Sequence, residues 1–598
     1  MCGIVGYTGH RRAQPILLNS LKKLEYRGYD SAGVAIIDKE MVIHKEKGEI
    51  AVLEEHLPEI EGSCGIAHTR WATHGKPSQT NAHPFTDCKK RIALIHNGIV
   101  ENYLDIKEKL LEEGHEFKSE TDTEVVVHLL EKYYEGDLEK AMLKTLKEIE
   151  GSYAFVAISS EEKDKIVVAR NESPLILGKG NDENFIASDI PALLKETNRI
   201  TNLHDGEVAT ITPKSIRVVD LEGNEVAKEW KTINWNTEDA ERGGYEHFML
   251  KEIYEAPRTI HNTILGRVSA LDMGPPLGDD FSAIKMVACG TSYYAAMAGK
   301  YILEEIAGIP TTVELASEYR YSSRAHERPL TILISQSGET LDTLGAAREA
   351  KQRGCPLLAI TNYMGSSLAR TVGESRVFYT RAGIEIGVAA TKTFVAQLIA
   401  LYLIALQLAS ERHTMNSDEI KRMLDEMRTL PRVAWKVLGK GPEIRELAEK
   451  YHDVKDAFIL GRGLNYPIAL EGALKLKEIS YIHAEGFAAG ELKHGPLALM
   501  SEEAVVLAVA VQDHTYQKIL GNIREVNARG SPVIGIGYEG DDNLRKFVDD
   551  LILLPKVSNI FSAIPVVLAF QLFSYYVAKA RGCEIDKPRH LAKTVTVE

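Results

Sequence analysis

The stretch TILISQSGET, at residues 331–340, predicts the fold of the second half of this 598-residue chain. It begins with an uninterrupted apolar run, which is typical of a strand buried on both faces of a parallel sheet. A turn of small and hydroxylated residues follows, and a helical pattern begins after that turn. This order predicts an α/β doubly wound parallel sheet that binds its ligand beyond the carboxyl end of the strand.

The same pattern occurs twice. The first copy consists of KMVACGTS from Lys285, TILISQSGET, and RGCPLLAI at 353–360, and the second of DAFILGRG from Asp456, VVLAVAVQD from Val505, and RGSPVIGI at 529–536. Corresponding positions lie 172 to 176 residues apart, and a constant offset of this kind indicates an internal repeat. The second copy has VQDHTY where the first has SQSGET, so we expect only the first copy to bind an anionic ligand.

Composition limits the classes of function. The chain is too long for one core, since single cores stop growing at about 250 to 300 residues. A net charge of -14 opposes bulk attraction to nucleic acid or anionic lipid. The six cysteines are scattered without a CxxC pair, which favours a reducing cytoplasm. The start has no signal-peptide pattern, and the apolar stretch Val395 to Ala409 is too short to span a membrane, so a buried or interface helix is expected.

The first 220 or so residues mix short β-type runs with helical patterns, which indicates an α+β domain. A polar, charged stretch then predicts a linker. We expect five segments: a first domain at 2–220, a linker at 221–245, two α/β domains at 246–425 and 445–585, and a tail at 586–598.

Cys2 is a candidate nucleophile. Once Met1 is removed, its α-amino group, with a typical pKa of about 7.7 to 8, can take the proton of its own thiol. An unremarkable second residue is the alternative. Arg70 suits a free carboxylate and Asp122 an ammonium group, which together describe a site for an amino acid. Asn97 and Gly98 offer the two donors that an oxyanion needs.

Four histidines, His68, His74, His83 and His96, lie close together in the first domain. Their spacings match no familiar zinc motif. We therefore expect structural or substrate-facing histidines and no metal.

Three features of the second half have competing interpretations. The hydroxyls of Ser335, Ser337 and Thr340 suit a phosphate at a helix start, although an N-cap turn would look alike. There is no GxxxxGK[ST] pattern, so a nucleoside triphosphate is not indicated. Lys475 and Glu478 are neighbours on one helical face or form a surface ion pair. The tail at 586–598 either packs against the rest of the protein or is a frayed terminus.

The segments MCGIVGY, LEYRGYDSAG, HTRWATHG, NAHPF, HNGIVENY and SETDTE resemble the class II glutamine amidotransferases, which have an N-terminal nucleophile (Ntn) hydrolase fold. The resemblance implies that Cys2 attacks glutamine, that Asn97 and Gly98 form the oxyanion hole, and that glutamine contacts Arg70, Thr73, His74 and Asp122. Trp71, beside Arg70, is our hypothesis for a gate between the glutaminase site and a passage for ammonia.

The segments YEHFMLKEIYEAP, CGTSYYA, SQSGET, EIGVAATKTF, residues 471–499 and the tail resemble the tandem sugar-isomerase (SIS) domains of the glutamine:fructose-6-phosphate aminotransferases. By that resemblance Lys593 forms a Schiff base with the open-chain sugar, His494 assists ring opening, and Glu478 shuttles a proton with help from Lys475. The residues implied to hold the sugar phosphate are Ser292, Ser335, Gln336, Ser337, Thr340, Val388 and Ala592.

The resemblance implies conversion of glutamine and fructose 6-phosphate to glutamate and glucosamine 6-phosphate without a cofactor, in a cytoplasmic homodimer, with ammonia passed between two sites. Other amidotransferases would need a phosphoribosyl pyrophosphate loop or an SGGxDS loop, and the chain has neither. A non-catalytic sugar sensor would not need Cys2, Asn97, Glu478, His494 and Lys593 together.

Overall fold

The structure is a computed structural model, which describes residues 2–25, 28–71, 75–232, 242–267, 273–275, 277, 281–322 and 328–594. The chain divides into two compact units, one within residues 1–240 and the other within 241–593. Each unit is described separately below.

The first unit contains two antiparallel sheets, with strand orders β14-β11-β9-β10-β1-β4-β2-β3 and β13-β12-β8-β7-β6-β5. The strands are β1 Gly3–Thr8, β2 Ser31–Ile37, β3 Met41–Lys47, β4 Cys64–Arg70, β5 Phe85–Thr86, β6 Ile92–Val100, β7 Gly151–Ser159, β8 Ile166–Asn171, β9 Ile176–Lys179, β10 Asn184–Ala187, β11 Arg199–Asn202, β12 Glu207–Ile211, β13 Ile216–Val219 and β14 Lys231–Thr232. The helices are α1 Ala13–Lys22, α2 Ile50–His56, α3 Tyr103–Glu112, α4 Glu124–Tyr133 and α5 Leu138–Thr145.

The two sheets pack face to face. One core joins Ile4 and Ile66 of the first sheet to Ile95 and Val156 of the second, and another core packs α3, α4 and α5 on the outer face of the second sheet. Helices α1 and α2 contact the first sheet. This layered arrangement confirms the predicted α+β Ntn-type domain. Strand β14 falls inside the stretch that we expected to be a linker.

The second unit contains two parallel sheets with the same internal strand order, β16-β15-β17-β18-β19 and β21-β20-β22-β23-β24. The strands are β15 Ile284–Ala288, β16 Thr311–Leu315, β17 Leu330–Ile334, β18 Leu357–Thr361, β19 Val377–Tyr379, β20 Asp456–Gly461, β21 His483–Ala488, β22 Ala504–Val509, β23 Val533–Tyr538 and β24 Asp550–Leu554. Every pair of neighbouring strands within these sheets is parallel. The predicted duplication of a doubly wound α/β domain is confirmed.

Helices cover both sheets of the second unit. They are α6 Phe248–Tyr254, α7 Ala256–Ile264, α8 Gly290–Ala307, α9 Ala316–Tyr319, α10 Leu341–Gln352, α11 Ser367–Val372, α12 Lys392–Glu411, α13 Ser417–Met427, α14 Leu430–Leu438, α15 Gly441–Lys450, α16 Asn465–Ser480, α17 Tyr516–Asn527 and α18 Ala563–Ala580. One core includes residues of α8, α12, α16 and α18 and so joins the two copies.

Two helical segments, Lys392–Glu411 and Asn559–Ala580, are long and apolar enough to span a membrane. Their apolar windows are 94% and 89% buried inside the protein, respectively. Such burial identifies them as core helices, and the buried helix predicted over Val395 to Ala409 is confirmed. The expectation that it is too short to span a membrane was wrong, because the helix extends beyond that apolar stretch at both ends.

Candidate active sites

Cys2 lies immediately before β1, in the middle of the first sheet. Gly3 pairs with Thr69 of β4, so the register brings Cys2 beside the end of β4. The backbone N–H of Trp71 donates to Cys2 Sγ at 3.3 Å, and the thiol lies 3.5 Å from the carbonyl oxygen of Trp71. The Asn97 side-chain amide donates to the Cys2 carbonyl oxygen at 3.0 Å. The candidate nucleophile and a candidate oxyanion donor are therefore neighbours.

A buried histidine orients the Asn97 amide. Burial lowers the pKa of His68 to about 3, so its ring is neutral at physiological pH. His68 Nε2 lies 3.0 Å from the His96 carbonyl oxygen and 3.1 Å from Asn97 Oδ1. Because both partners are acceptors, Nε2 carries the proton. The donor end of the Asn97 amide consequently points toward Cys2.

Gly98, the second candidate donor, has a backbone that other residues rarely adopt. Its φ is +134°, and a Cβ atom would lie 2.0 Å from the carbonyl oxygen of Ser152. Only glycine therefore fits beside Asn97 on β6.

Arg70 and Asp122 share the environment of Cys2. Arg70 is 3% exposed and Asp122 is 4% exposed. Burial lowers the pKa of the Arg70 guanidinium, and the charges of Cys2 and Asp122 act in the opposite direction. Asp122 Oδ2 also accepts the backbone N–H of Val100 at 2.8 Å. A buried cation and a buried anion near one thiol suit the two charged groups of a free amino acid.

Four further residues from the sequence analysis belong to this part of the chain, and the structure describes two of them, Trp71 and His83. Trp71 packs edge-on against Tyr29, with ring centroids 5.8 Å apart. Thr73 and His74 lie outside the described residues. The His83 ring stacks on His68 with centroids 4.0 Å apart, and burial holds the pKa of His83 well below its usual value.

In the second unit, Lys593 forms a buried ion pair with Glu385. Its ammonium also donates to the carbonyl oxygen of Gly387 at 2.8 Å. Burial raises the pKa of Glu385, but Lys593 and donors from Thr391 and Thr393 act more strongly and bring it to about 2. Glu385 is therefore an anion that holds the Lys593 ammonium in the interior.

Lys475 lies at the centre of a second buried cluster. Its Nζ is 2.5 Å from Glu478 Oε2, 3.5 Å from Glu471 Oε1 and 3.1 Å from Thr291 Oγ1. The Lys475 side chain is 1% exposed, which excludes the surface ion pair considered above. Burial lowers the pKa of Lys475, but the carboxylates of Glu471 and Glu478 act more strongly and raise it, with a further contribution from Glu385. The Lys475 and Lys593 clusters are thus within electrostatic reach of each other.

The SQSGET turn joins β17 to α10. Ser335 Oγ accepts the backbone N–H of Gly338 at 3.1 Å and lies 2.9 Å from Thr340 Oγ1, so it closes the turn internally. Ser337 and Thr340 are partly exposed, and neither Thr340 nor Cys289 caps the following helix with its side chain. Since β15 and β17 are parallel neighbours, the N-termini of α8 and α10 start at the same sheet edge. Free helix N–H groups at that edge suit a phosphate.

The other residues that were predicted to hold the sugar phosphate each have different contacts. The Ser292 hydroxyl, in the first turn of α8, accepts a hydrogen bond from Gln397 at 2.9 Å. Gln336 accepts the N–H of Asn362 through its carbonyl oxygen. The N–H of Val388 donates to the carbonyl oxygen of Asp586 at 3.0 Å, which ties the tail to the loop of Glu385. Ala592 directly precedes Lys593.

The tail is docked over the part that the structure describes. The two carboxylate oxygens of Asp586 accept the backbone N–H groups of Phe248 and Met249, both at 2.9 Å, and so cap α6. This contact excludes the frayed terminus considered above.

His494 is not part of the Lys475 cluster or the Lys593 cluster. It is exposed at the end of a short 3-10 helix, Ala489–His494. Among the described residues, no hydrogen bond or ion pair joins it to Lys475, Glu478 or Lys593.

Sequence reasoning did not single out Glu385, Glu471, Thr291 or Glu252. Glu471 precedes Lys475 by four residues on α16, a spacing that signals a shared helix face. Glu385 lies within the quoted motif EIGVAATKTF. Glu252 and Thr291 likewise lie within the quoted motifs YEHFMLKEIYEAP and CGTSYYA, but only the tertiary fold brings them to these clusters.

Family profiles match both units. The profile described as "SIS domain" matches residues 282–407 and 450–580, and the profile described as "Glutamine amidotransferase domain" matches residues 68–195.

Curated relatives match over their whole length. A protein of Clostridium tetani named glutamine–fructose-6-phosphate aminotransferase (isomerizing) is 48% identical over 610 residues, covering 100% of both chains. Proteins with the same name from Methanosarcina mazei and Aquifex aeolicus are 49% and 48% identical, again over 100% of both chains.

A solved structure resembles the second unit. The C-terminal domain of glucosamine-fructose-6-phosphate aminotransferase from Francisella tularensis aligns with a TM-score of 0.53 and 37% identity, covering 58% of this chain and 99% of that one.

Proposed function

Because this chain belongs to the family of the glutamine–fructose-6-phosphate aminotransferases (isomerizing), we propose that it moves the amide nitrogen of glutamine to C2 of fructose 6-phosphate. The products are glutamate and glucosamine 6-phosphate. The observation that carries the proposal is that one chain holds both a thiol set among Asn97, Arg70 and Asp122 and two buried lysines, Lys475 and Lys593, each paired with a glutamate.

The first half-reaction takes place at Cys2. The Cys2 thiolate attacks the carboxamide carbon of glutamine, and the developing oxyanion receives hydrogen bonds from the Asn97 amide and the Gly98 N–H. Collapse expels ammonia and leaves a thioester, which water hydrolyses to glutamate. Arg70 and Asp122 bind the α-carboxylate and the ammonium of glutamine. The orientation of Asn97 by His68 supports this assignment, because the donor is aimed before substrate binds.

The second half-reaction takes place at Lys593. The neutral amine of Lys593 condenses with the C2 ketone of the open-chain sugar and releases water, and ammonia then displaces the lysine from C2. The resulting imine acidifies C1, so Glu478 can take a proton from C1 and return it to C2, which yields the 2-amino aldose. Lys475 holds Glu478 in place. Ser337 and Thr340 bind the phosphate together with the helix N-termini.

Lys593 must lose its proton to act. In the structure its ammonium is held by Glu385. The nucleophilic amine therefore arises when substrate displaces this contact or when a neighbouring base takes the proton. Thr391 and Thr393 keep Glu385 in place after such an exchange, since they donate to it at 2.9 and 2.7 Å.

Ammonia released at Cys2 reaches the sugar without mixing with bulk water. Free ammonia would be protonated in water and lose its nucleophilicity, so coupling requires a dry path. Trp71, in contact with Cys2 through its backbone, is the proposed gate of that path.

The active assembly is a cytoplasmic homodimer that uses no cofactor and binds neither nucleic acid nor membrane. The exposure of His494 supports a shared site, because an exposed residue can reach the active site of a second copy and assist ring opening there. Symmetric dimers are the commonest protein oligomers.

The proposal is tested by incubating the purified protein with glutamine and fructose 6-phosphate and measuring glutamate and glucosamine 6-phosphate. Cys2→Ala abolishes glutamine use, whereas Lys593→Ala stops amino sugar formation. Matched controls are Cys355→Ala and Lys556→Ala, which lie outside both sites and retain both products. Glutamate without amino sugar in the wild type would refute the transfer.

A further inference from the structure

Four metal-binding side chains converge in the first unit at a place that neither half-reaction uses. Cys88 Sγ lies 3.6 Å from His128 Nδ1 and 3.9 Å from His115 Nδ1. Glu131 Oε2 lies 3.2 Å from His115 Nδ1 and 3.4 Å from His128 Nδ1. All four ligand atoms lie within 4.8 Å of one another.

These separations match those of a tetrahedral zinc site. With Zn–S near 2.3 Å and Zn–N or Zn–O near 2.0 to 2.2 Å, tetrahedral angles place ligand atoms about 3.4 to 3.6 Å apart. The four distances scatter around this range. A zinc ion at the centre would need only small side-chain adjustments.

We propose that Cys88, His115, His128 and Glu131 bind one zinc ion. A thiolate, two imidazoles and a carboxylate form a mixed sulfur, nitrogen and oxygen set that suits zinc better than the hard cations magnesium and calcium. Four protein ligands fill the tetrahedral shell, which is typical of a structural site rather than a catalytic one.

A second carboxylate supports the orientation of His128. His128 is 1% exposed, and its Nε2 lies 3.9 Å from Glu124 Oε1 without a hydrogen bond of its own. Backbone N–H groups of Lys118 and Ser119 hold Glu124 at 2.9 and 2.7 Å. Zinc on Nδ1 leaves the proton on Nε2, where it faces Glu124. Histidine ligands of zinc commonly have such a carboxylate behind them.

The ligands join three separate parts of the first unit. Cys88 follows β5, His115 follows α3, and His128 and Glu131 lie on α4. Helix α4 begins at Glu124, two residues after Asp122. Zinc would therefore fix the segment that presents Asp122 to the glutamine site and would stabilise the whole unit.

The proposal revises the expectation that the chain holds no metal. That expectation considered only His68, His74, His83 and His96. The present ligands escape motif searches because their spacings of 27, 13 and 3 residues match no familiar zinc pattern. Cys88 is exposed, so the site is open to a metal ion from solvent.

The test uses the full-length, tag-free Cys2→Ala protein, because the free amine and thiol of Cys2 would themselves chelate zinc. After chelator treatment, the protein is dialysed with zinc, freed of excess, and measured by elemental mass spectrometry. We expect about one zinc ion per chain. Adding Cys88→Ser should remove most of this zinc, and Cys355→Ser, which changes a partly buried cysteine outside the cluster, should retain it.

Cobalt gives a readout that does not depend on stability. Cobalt(II) added to the Cys2→Ala protein should produce a thiolate-to-metal absorption band in the near ultraviolet, and Cys88→Ser should lack the band while its circular dichroism is unchanged. Zinc should also raise the melting temperature of the first unit by several degrees. Failure to retain zinc, equal retention by Cys88→Ser, or the absence of the cobalt band would overturn the proposal.

Discussion

Two buried glutamates of the second unit have pKa values that are shifted in opposite directions. Glu385 and Glu471 are both fully buried in the protein. Lys593 and two threonines bring the pKa of Glu385 to about 2. Burial dominates at Glu471 and raises its pKa to about 8, although Lys475 and Thr291 act against it. The neighbours of each carboxylate, rather than its depth, decide whether it is an anion at neutral pH.

The acidity of Glu471 predicts a pH-dependent stability. Its pKa rises from an ordinary 4.5 to about 8 on folding, so the folded state binds the extra proton between these values. Stability from this group is full below pH 4.5 and is lost as the pH rises toward 8. Glu471→Gln, which stays neutral, should therefore raise the melting temperature of the second unit more at pH 8 than at pH 5.

Differential scanning calorimetry across pH 5 to 8 measures this effect. Glu502→Gln, at an exposed position, is the control and should follow the wild type at every pH. A constant difference between Glu471→Gln and the wild type over the whole range would contradict a protonated Glu471.

For individual residues, the sequence predicts those that belong to a recognisable motif. It does not predict residues whose pKa depends on contacts between distant segments of the chain. The sequence predicts Cys2 from its position and the motifs around it, and Lys593 from the family resemblance that the tail carries. Nothing in the sequence predicts that Glu252, on α6, lies near Glu385 and has its pKa raised to about 8 by burial and by that carboxylate. Such a shift arises only when distant segments fold together.

The two copies of the α/β domain share a fold but differ in the turn that we propose to bind phosphate. Both copies have the same strand order, but only the first has a run of hydroxyl residues in the turn after its third strand in sequence, β17, since the second has Thr515 alone there. In the second copy, the equivalent turn after β22 contains Gln512, Asp513 and His514. The phosphate site that we propose is therefore confined to the first copy, and the second copy provides an internal control.

This pair predicts an asymmetric effect on substrate binding. Ser337→Ala removes a hydroxyl donor to the phosphate and should raise the KM for fructose 6-phosphate by about 10- to 100-fold, since a hydrogen bond to a charged group contributes about 1.5 to 3 kcal/mol. Gln512→Ala, the matching change in the second copy, should leave the KM unchanged. Steady-state kinetics at saturating glutamine measures both, and equal effects of the two substitutions would count against a single phosphate site.

The elements differ in how far the sequence predicts them. The strands β17 and β22 are uninterrupted apolar runs between turns, so their buried parallel arrangement follows from pattern alone. The order of the first sheet does not follow, because β1 pairs with β10 and β4 rather than with its neighbour in sequence. The paired residues are 56 to 66 positions apart for β4 and 176 to 182 positions apart for β10, and no local pattern encodes such distant contacts.

For the whole molecule, our proposal is that two chains share each sugar site, with the exposed His494 reaching the partner's site. If Lys593 comes from one chain and His494 from its partner, chains with Lys593→Ala and chains with His494→Ala are each inactive in synthesis. A mixed dimer regains one intact site. Co-expression in equal amounts should restore about a quarter of wild-type synthesis, by random pairing of subunits in a symmetric dimer.

Glucosamine 6-phosphate formation by the purified mixture measures this recovery, with glutamine hydrolysis as the control for intact first units. Activity that stays at the level of the separate variants would contradict a shared site.

We propose that the nitrogen of glutamine reaches the sugar without entering the bulk solution. The direct measurement supplies glutamine labelled with ¹⁵N in its amide, fructose 6-phosphate and a large excess of unlabelled ammonium, and determines the ¹⁵N content of glucosamine 6-phosphate by mass spectrometry. We predict a product labelled almost completely, because transferred ammonia does not mix with the solvent pool. A product diluted to the isotope ratio of the solution, or glutamate formed without amino sugar, would contradict this direct transfer.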